Sequence, residues 1–156
     1  MTGRIDARLA ELGITLPTAM PPMANYVPVV RTGSLVVVSG QVPAQDGKIV
    51  VTGKVGDAVT VQQGQDAARL CLMNVLTHLR TACGGDLDRV VRVVRLGGFV
   101  AASPGFTQHA LVMNGASDLA VELFGEAGRH ARSTIGVSAL PGDAAVEVEG
   151  MFEVAL

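Results

Sequence analysis

Arg132 is the residue whose type and position most clearly suggest chemistry in this chain. It stands at the start of a strand-like run and is followed by the small residues Ser133 and Thr134. A guanidinium binds a carboxylate or phosphate through two parallel hydrogen bonds, and backbone N–H groups beside small residues add further donors. The pattern is therefore typical of a site for a small anion. A structural ion pair with a neighbouring acidic residue is the alternative.

Two carboxylates lie in a second strand-like run. Glu147 and Glu149 alternate with Val146 and Val148. Successive side chains of a strand point to opposite faces, so the glutamates should point away from the core that the valines enter. They are candidates for a site, and the alternative is the solvated face of a half-exposed strand.

The residues between these two runs predict a hairpin. Residues 140–143, with the sequence LPGD, have the composition of a turn, so residues 131–152 should form two paired strands. Arg132 would then pair near Phe152 and lie roughly 17 Å along the strand from Glu147. The two are not expected to touch within one chain. If they share a site, one of them is expected to come from an adjacent subunit.

Hydrophobic periodicity and turn residues predict the elements that must position these side chains. Helices are expected over residues 3–13, 61–82 and 114–124, with a helical turn in the loop over 104–112. Strands are expected over residues 26–30, 34–42, 49–52 and 90–101, in addition to the two strands of the hairpin. This order of elements predicts an α+β fold with helices packed on one face of a sheet.

The sheet is expected to bury both of its faces. The two main helices can cover only one face, yet the strands over 35–38, 90–101 and 146–154 are apolar or small on much of their second face. A second apolar face is buried against another copy of the chain in many proteins. The sequence therefore predicts a homo-oligomer.

Composition and charge exclude several classes of function. The 156 residues, of which 49% are hydrophobic and 17% charged, predict one globular domain. A formal net charge of −2 provides no basic surface for nucleic acid, and no apolar run approaches the ~20 residues that span a bilayer. The N-terminus has no hydrophobic signal region, so a cytoplasmic protein without membrane contact is expected.

Metal and thiol chemistry are not expected. Cys71 and Cys83 form no CxxC pattern, and Cys71 falls on the predicted buried stripe of a helix, where a small apolar filler is the favoured role. The histidines His78, His109 and His130 share no ligand spacing such as HxxxH. The sequence therefore predicts no metal site.

Several segments together resemble a known family. Residues 132–141 (RSTIGVSALP), followed by VEVE at residues 146–149, resemble the C-terminal signature of the reactive-intermediate deaminase family, also called Rid or YjgF-like. Tyr26 and the SGQVP segment at residues 39–43 resemble the tyrosine and the SGQ-hydrophobic-Pro segment of that family at the same spacing. Asn114 resembles a family asparagine.

This resemblance implies a fold, an assembly and an activity. The fold is the chorismate-mutase-like, YjgF-type α+β domain, with a mixed, mostly antiparallel sheet and two main helices on one face. The assembly is a homotrimer with ligand clefts between subunits. Family members hydrolyse small enamines and imines, such as 2-aminoacrylate, to 2-keto acids and ammonia. That chemistry needs a held carboxylate and a placed water, so no cofactor is expected.

The resemblance also implies roles for individual residues. Arg132 would grip the substrate carboxylate, and Glu147 would position or activate the attacking water. The backbone of Thr134 and of Gly40 would contact the substrate. Tyr26 would line the pocket or share in proton handling, and Asn114 would shape the wall.

The chain departs from the family pattern in a few places. His130 stands where the family usually has a proline, and Val27-Pro28 replaces the Ser-Gln that commonly follows the tyrosine. We expect one domain over residues 1–156, in which an N-terminal helix and proline-rich connector (1–23) precede the Rid-like core (24–156). The compact family members have no counterpart of residues 1–23.

Two other functions compete with imine hydrolysis. The same cleft could bind or sense small carboxylates without turnover. Endoribonuclease activity is less favoured, because the chain has neither a pair of histidines at a suitable spacing nor a basic groove, and it has few aromatic residues for base stacking.

Overall fold

Three α-helices and a mixed sheet organise the part of the chain that the structure describes. This computed structural model describes residues 2–22 and 24–156, so Met1 and Met23 of the predicted N-terminal segment lie outside it. The helices are α1 (Arg4–Glu11), α2 (Val61–Ala82) and α3 (His109–Phe124). The strands are β1 (Val29–Thr32), β2 (Leu35–Gln41), β3 (Ala44–Gln45), β4 (Lys48–Ile49), β5 (Val90–Ala101), β6 (Ala131–Val137) and β7 (Val146–Val154).

The main sheet places β5 between β7 and β6. Among the described residues it has five strands in the order β1-β2-β7-β5-β6, and β3 with β4 forms a separate two-stranded ribbon. β5 and β6 run parallel, whereas the other neighbours in the large sheet are antiparallel. Helices α2 and α3 pack on one face. The predicted α+β fold with two main helices on one face of a mixed, mostly antiparallel sheet is confirmed.

The predicted hairpin over residues 131–152 is wrong. Leu96 of β5 pairs with Arg132 on one side and with Gly150 on the other, so β6 and β7 are separated by a whole strand. The residues after the predicted turn bond elsewhere, because the Ala145 N–H donates to the Val51 carbonyl at 3.1 Å. β5 is apolar on both faces and hydrogen-bonds to a neighbouring strand along each of its two edges. Burying β5 between β6 and β7 outweighs the local tendency of the turn to form a hairpin.

Helix α2 covers the middle of the sheet. Thr60 and Gln63 form a capping box, in which the Gln63 N–H donates to Thr60 Oγ1 at 3.1 Å and the Thr60 N–H donates to Gln63 Oε1 at 2.9 Å. The predicted apolar stripe is buried, including Cys71. Helix α3 crosses α2 closely because Gly115 lacks a side chain, and a methyl group there would overlap the Gln65 carbonyl.

Two of the differences from the predicted element bounds affect the candidate site. Helix α3 begins at His109 rather than at residue 114, because Val112 and Met113 are fully buried and packing extends the helix towards the N-terminus. Asn114 therefore lies inside the helix. Strand β1 begins only at Val29, so Tyr26 precedes the sheet instead of belonging to it.

The second face of the sheet is open and partly apolar. In β7 the residues alternate strictly between buried and half-buried, so Glu147 and Glu149 lie on this open face, as the alternation predicted. Ile135 and Val30, on the two edge strands, are 51% and 53% exposed on the same face. Among residues 2–22 and 24–156, no helix combines the length and the apolar character needed to span a bilayer.

The N-terminal helix is anchored to the core by Asp88. The Arg4 and Ile5 backbone N–H groups at the start of α1 donate to the two carboxylate oxygens of Asp88, each at 2.7 Å. Asp6 forms an ion pair with Arg80 of α2. The hydrogen bonds, first that from Ile5 and then that from Arg4, lower the pKa of Asp88 below its usual value of 3.8. Asp88 thus replaces the side-chain cap that α1 lacks.

We predict that Asp88→Ala lowers the free energy of unfolding by about 1 kcal/mol, the typical cost of a lost helix cap. Urea unfolding at neutral pH measures this. A folded-state pKa below the unfolded value means that the contribution is present above about pH 3.8 and is lost as the pH falls through the lowered pKa. The difference between the variant and the wild type should therefore shrink in acid.

Glu126→Ala is the matched control, because Glu126 is an exposed carboxylate paired only with Arg129 of the same turn. Its effect should stay within a few tenths of a kcal/mol. Equal losses in Asp88→Ala and Glu126→Ala would contradict the anchoring role of Asp88.

Candidate functional site

Arg132 lies on the helix-covered face of the edge strand β6 and is held against α3. Its Nη1 donates to Asn114 Oδ1 at 2.9 Å and to Ser117 Oγ at 3.0 Å, and its Nη2 donates to the Ala110 carbonyl at 3.2 Å. All three acceptors are neutral. Among the described residues no carboxylate lies within ion-pair distance of this guanidinium. The positive charge is therefore oriented but not neutralised.

His130 extends this network. Its Nδ1 lies 2.6 Å from the Gly128 carbonyl, which can only accept, so Nδ1 carries a proton. In the neutral ring Nε2 is then an acceptor, and it receives the Ser117 hydroxyl proton at 2.9 Å. Ser117 in turn accepts from Arg132. The histidine that replaces the proline typical of the family thus orients the serine that holds the arginine.

Thr134 lies two residues further along the same face of β6. Its Oγ1 is buried and has no hydrogen-bond partner within residues 2–22 and 24–156. β6 is an edge strand, so its outer N–H and C=O groups face no other strand in the described part of the chain. Backbone donors are therefore available along the same edge as Arg132.

A second group of predicted residues lines a cavity elsewhere on the molecule. Tyr26, Gly40 and Glu147 border a space of ≈ 270 Å³. The register of β2 against β7 shifts between Val38 and Gln41, and this bulge carries Gly40. A methyl group on Gly40 would overlap Glu147 Oε1, so the glycine lets the carboxylate lie directly on the β2 backbone.

Glu147 is an unusual carboxylate in this chain. It is half-buried, and burial is the first cause that raises its pKa above the usual 4.5. The negative charge of Glu149 raises it further. Glu149 itself pairs with Arg95 on the open face, at 3.4 Å between Arg95 Nη1 and Glu149 Oε1. A raised pKa at a cavity wall favours proton transfer at this residue.

The structure therefore brings the predicted residues together in two groups and not in one. Arg132, Asn114 and Thr134 surround the helix-covered side of β6, whereas Glu147 lies on the open face with Gly40 and Tyr26. With two strand spacings across β5 and three residues along it, the Cα atoms of Arg132 and Glu147 lie about 14 Å apart. They also point to opposite faces, so one chain does not join them.

Sequence reasoning missed two parts of these groups. Ser117 contacts Arg132 as closely as Asn114 does, and its position three residues further along the helix could have indicated it. Met20, Pro21 and Pro22 of the connector line the cavity next to Glu147, and no local pattern predicts that contact. Within the described ranges, no cluster of three or more His, Cys, Asp or Glu side chains could hold a metal ion.

Comparison with known proteins identifies the family. The profile described as "YjgF/chorismate_mutase-like, putative endoribonuclease" matches residues 6–152. Protein TCP17 of Trypanosoma cruzi is 50% identical over 153 residues, which cover 97% of this chain and 95% of that protein. The chain therefore belongs to the YjgF/chorismate mutase-like family, which includes the Rid proteins, and the fold predicted from the resemblance is confirmed.

Solved structures support this at two levels of similarity. The protein Atu1372 of Agrobacterium tumefaciens, of unknown function, is 48% identical and superposes with a TM-score of 0.92, covering 97% of this chain and 93% of the other. TdcF of E. coli, solved with bound serine, is 28% identical with a TM-score of 0.59, covering 89% and 93%. The chain thus shares its detailed shape with Atu1372 and its general fold with TdcF.

We predict that Glu149→Gln lowers the pKa of Glu147, because it removes a neighbouring negative charge and releases Arg95. Burial still acts, so the pKa should remain above 4.5. A titration followed by carbon-detected NMR of the side-chain carboxyl groups measures the shift.

Glu153→Gln is the matched control, since Glu153 lies on the same face of β7 but six residues, about 20 Å, from Glu147. It should leave the titration of Glu147 unchanged. An unchanged pKa in Glu149→Gln would show that burial alone raises it.

Proposed function

We propose that the protein hydrolyses small enamine and imine intermediates of the 2-aminoacrylate type to 2-keto acids and ammonia, in clefts between the subunits of a homotrimer. The observation that carries this proposal is the oriented but unneutralised positive charge of Arg132. Its guanidinium is oriented by Asn114 and Ser117 and meets no carboxylate in the described part of the chain. A small substrate with a carboxylate group supplies the missing charge.

The reaction follows from the two groups of residues. An enamine first takes a proton from solvent at its terminal carbon, and its nitrogen lone pair forms the C=N bond, which gives the protonated imine directly. Arg132 holds the carboxylate and Glu147 accepts a proton from water, whose oxygen forms a bond to the imine carbon while the π electrons move to nitrogen.

The resulting carbinolamine then breaks down. Glu147 returns its proton to the amino group, the C–N bond breaks with its electron pair leaving on ammonia, and the hydroxyl proton is released as the C=O bond forms. Water and imine are thus converted to keto acid and ammonia without a redox step. Tyr26 and the Gly40 backbone border the same cavity as Glu147 and are in position to contact the substrate.

The position of the two groups supports the proposed oligomer. Arg132 and Glu147 point to opposite faces of one sheet, and the open face carries the partly exposed apolar residues Val30 and Ile135. Burying that face against neighbouring copies removes apolar surface from water. In a ring of three subunits, Arg132 of one subunit would complete the site at Glu147 of the next.

The ligand of one relative supports an amino-acid-like substrate. TdcF, a relative with the same general fold, was solved with bound serine, which carries a carboxylate and an amino group as the proposed substrates do. The family description names a putative endoribonuclease. The net charge of −2 and the single tyrosine, with no tryptophan, do not favour RNA binding.

We predict that the protein accelerates the loss of 2-iminopropionate and 2-iminobutyrate produced by an amino-acid oxidase. Arg132→Ala should lower kcat/KM at least about a hundredfold, because it removes two charge-assisted hydrogen bonds to the substrate. Glu147→Gln should lower kcat by about 10²-fold or more. In the wild type, kcat should rise with pH as Glu147 ionises. The midpoint of this rise should lie above pH 4.5, because the pKa of Glu147 is raised.

Arg129→Ala is the control, because Arg129 is an exposed arginine close in sequence to Arg132 and pairs only with Glu126. It should retain full activity. Binding of 2-ketobutyrate that depends on Arg132, without turnover of any imine, would identify a carboxylate-binding protein instead. Cleavage of RNA that persists in Arg132→Ala, without imine turnover, would favour a ribonuclease.

The assembly has its own test. Native mass spectrometry should give the mass of three chains at micromolar concentration. A charged substitution on the open face, Ile135→Glu, should shift the population towards monomers, because it introduces a charge into an apolar contact. Val121→Glu, at a partly exposed valine on α3, is the matched control and should remain trimeric. A stable wild-type monomer would exclude an active site shared between subunits.

A further inference from the structure

The apolar cavity beside Glu147 is larger than the smallest imines require. Its volume of ≈ 270 Å³ is many times the ~10–15 Å³ that a single water molecule requires. A methyl side chain such as that of 2-iminopropionate would fill only a small part of it and leave the rest to water. Apolar groups line most of the remaining wall, so a larger apolar group would displace that water favourably.

The proline-rich connector forms one part of the cavity wall. Met20, Pro21, Pro22 and Ala24 line the cavity, and none of them offers a side-chain hydrogen bond. Proline fixes its own backbone angle, so this wall loses little conformational freedom when a ligand binds. A polar or charged side chain of a substrate would lose its hydration here without gaining a partner.

Contacts with the core hold this wall in place. The Thr77 hydroxyl of α2 donates to the Pro17 carbonyl at 2.8 Å and ties the connector to the helix. On the other side of the cavity, the buried amide of Asn74 donates to the Ala44 carbonyl at 2.9 Å and supports the segment after β2. The cavity is therefore formed before any ligand binds.

We propose that this connector-lined cavity selects the substrate, so that the protein acts preferentially on imines of 2-keto acids that carry a branched aliphatic or aromatic side chain. The inference rests on the proposed function. The reacting carbon lies at the Glu147 end of the cavity and the side chain extends towards Met20 and the prolines. Met20, Pro21 and Pro22 of the connector thus set the specificity of the site.

The test compares imines generated by an amino-acid oxidase from alanine, leucine, phenylalanine and glutamate. Each additional buried methylene should raise kcat/KM about fourfold. The leucine- and phenylalanine-derived imines should therefore exceed the alanine-derived imine by about tenfold or more, and the glutamate-derived imine should be the poorest substrate. A preference for the alanine-derived imine would overturn the proposal.

Two variants in the connector test whether it causes the preference for large apolar side chains. Met20→Glu places a carboxylate in the cavity wall and should reduce the ratio of leucine- to alanine-derived kcat/KM about tenfold or more. Ala19→Glu introduces the same group one residue earlier, at an exposed position that does not line the cavity, and should keep the wild-type ratio. Equal ratios in the two variants would show that the connector does not select the side chain.

A binding experiment separates this inference from the proposed function. Calorimetric titration with 4-methyl-2-oxopentanoate and with pyruvate measures the side-chain preference without any turnover. We expect the branched acid to bind about tenfold more tightly than pyruvate, and this affinity to weaken in Met20→Glu but not in Ala19→Glu. This result would support the selective cavity even if no imine is hydrolysed. Equal or weaker binding of the branched acid overturns it even if imines are hydrolysed.

Discussion

The parallel pairing of β5 with β6 is the constraint on which the rest of the structure depends. Two parallel strands that follow each other in the chain need a crossover connection, and α3 supplies it. The crossover places α3 over β6, where Asn114 and Ser117 reach Arg132. The other edge of β5 takes β7 in antiparallel register, which sets Glu147 one strand away from β6 and on the opposite face.

Each half of the candidate site is consequently incomplete by itself. Arg132 is oriented by neutral oxygens that fix its geometry but do not neutralise its charge. Glu147 lies against the backbone at Gly40, where burial and Glu149 raise its pKa. The two halves lie on opposite faces of the sheet, and β5 lies between their strands. In the proposed trimer, an interface between copies would bury the open face of the sheet and join the two halves.

The N-terminal segment is anchored to the core and also lines the candidate site. Asp88 and Arg80 anchor α1 to the core, and Thr77 anchors the connector that follows it. The connector then reaches the cavity that holds Glu147. A segment that local sequence patterns mark only as a short helix and a proline-rich linker thereby becomes part of the candidate site. This is consistent with the close superposition on Atu1372 and the looser one on TdcF.

The sequence by itself determined the features that depend on neighbouring residues. The bounds of α2 follow from a capping box and an apolar stripe, those of β5 from an apolar run between turn signals, and the outward direction of Glu147 from strand alternation. Only the tertiary structure decided which strands pair, where α3 begins and which face Arg132 occupies. These features depend on burial and hydrogen bonding between segments far apart in the chain, and no local pattern encodes such contacts.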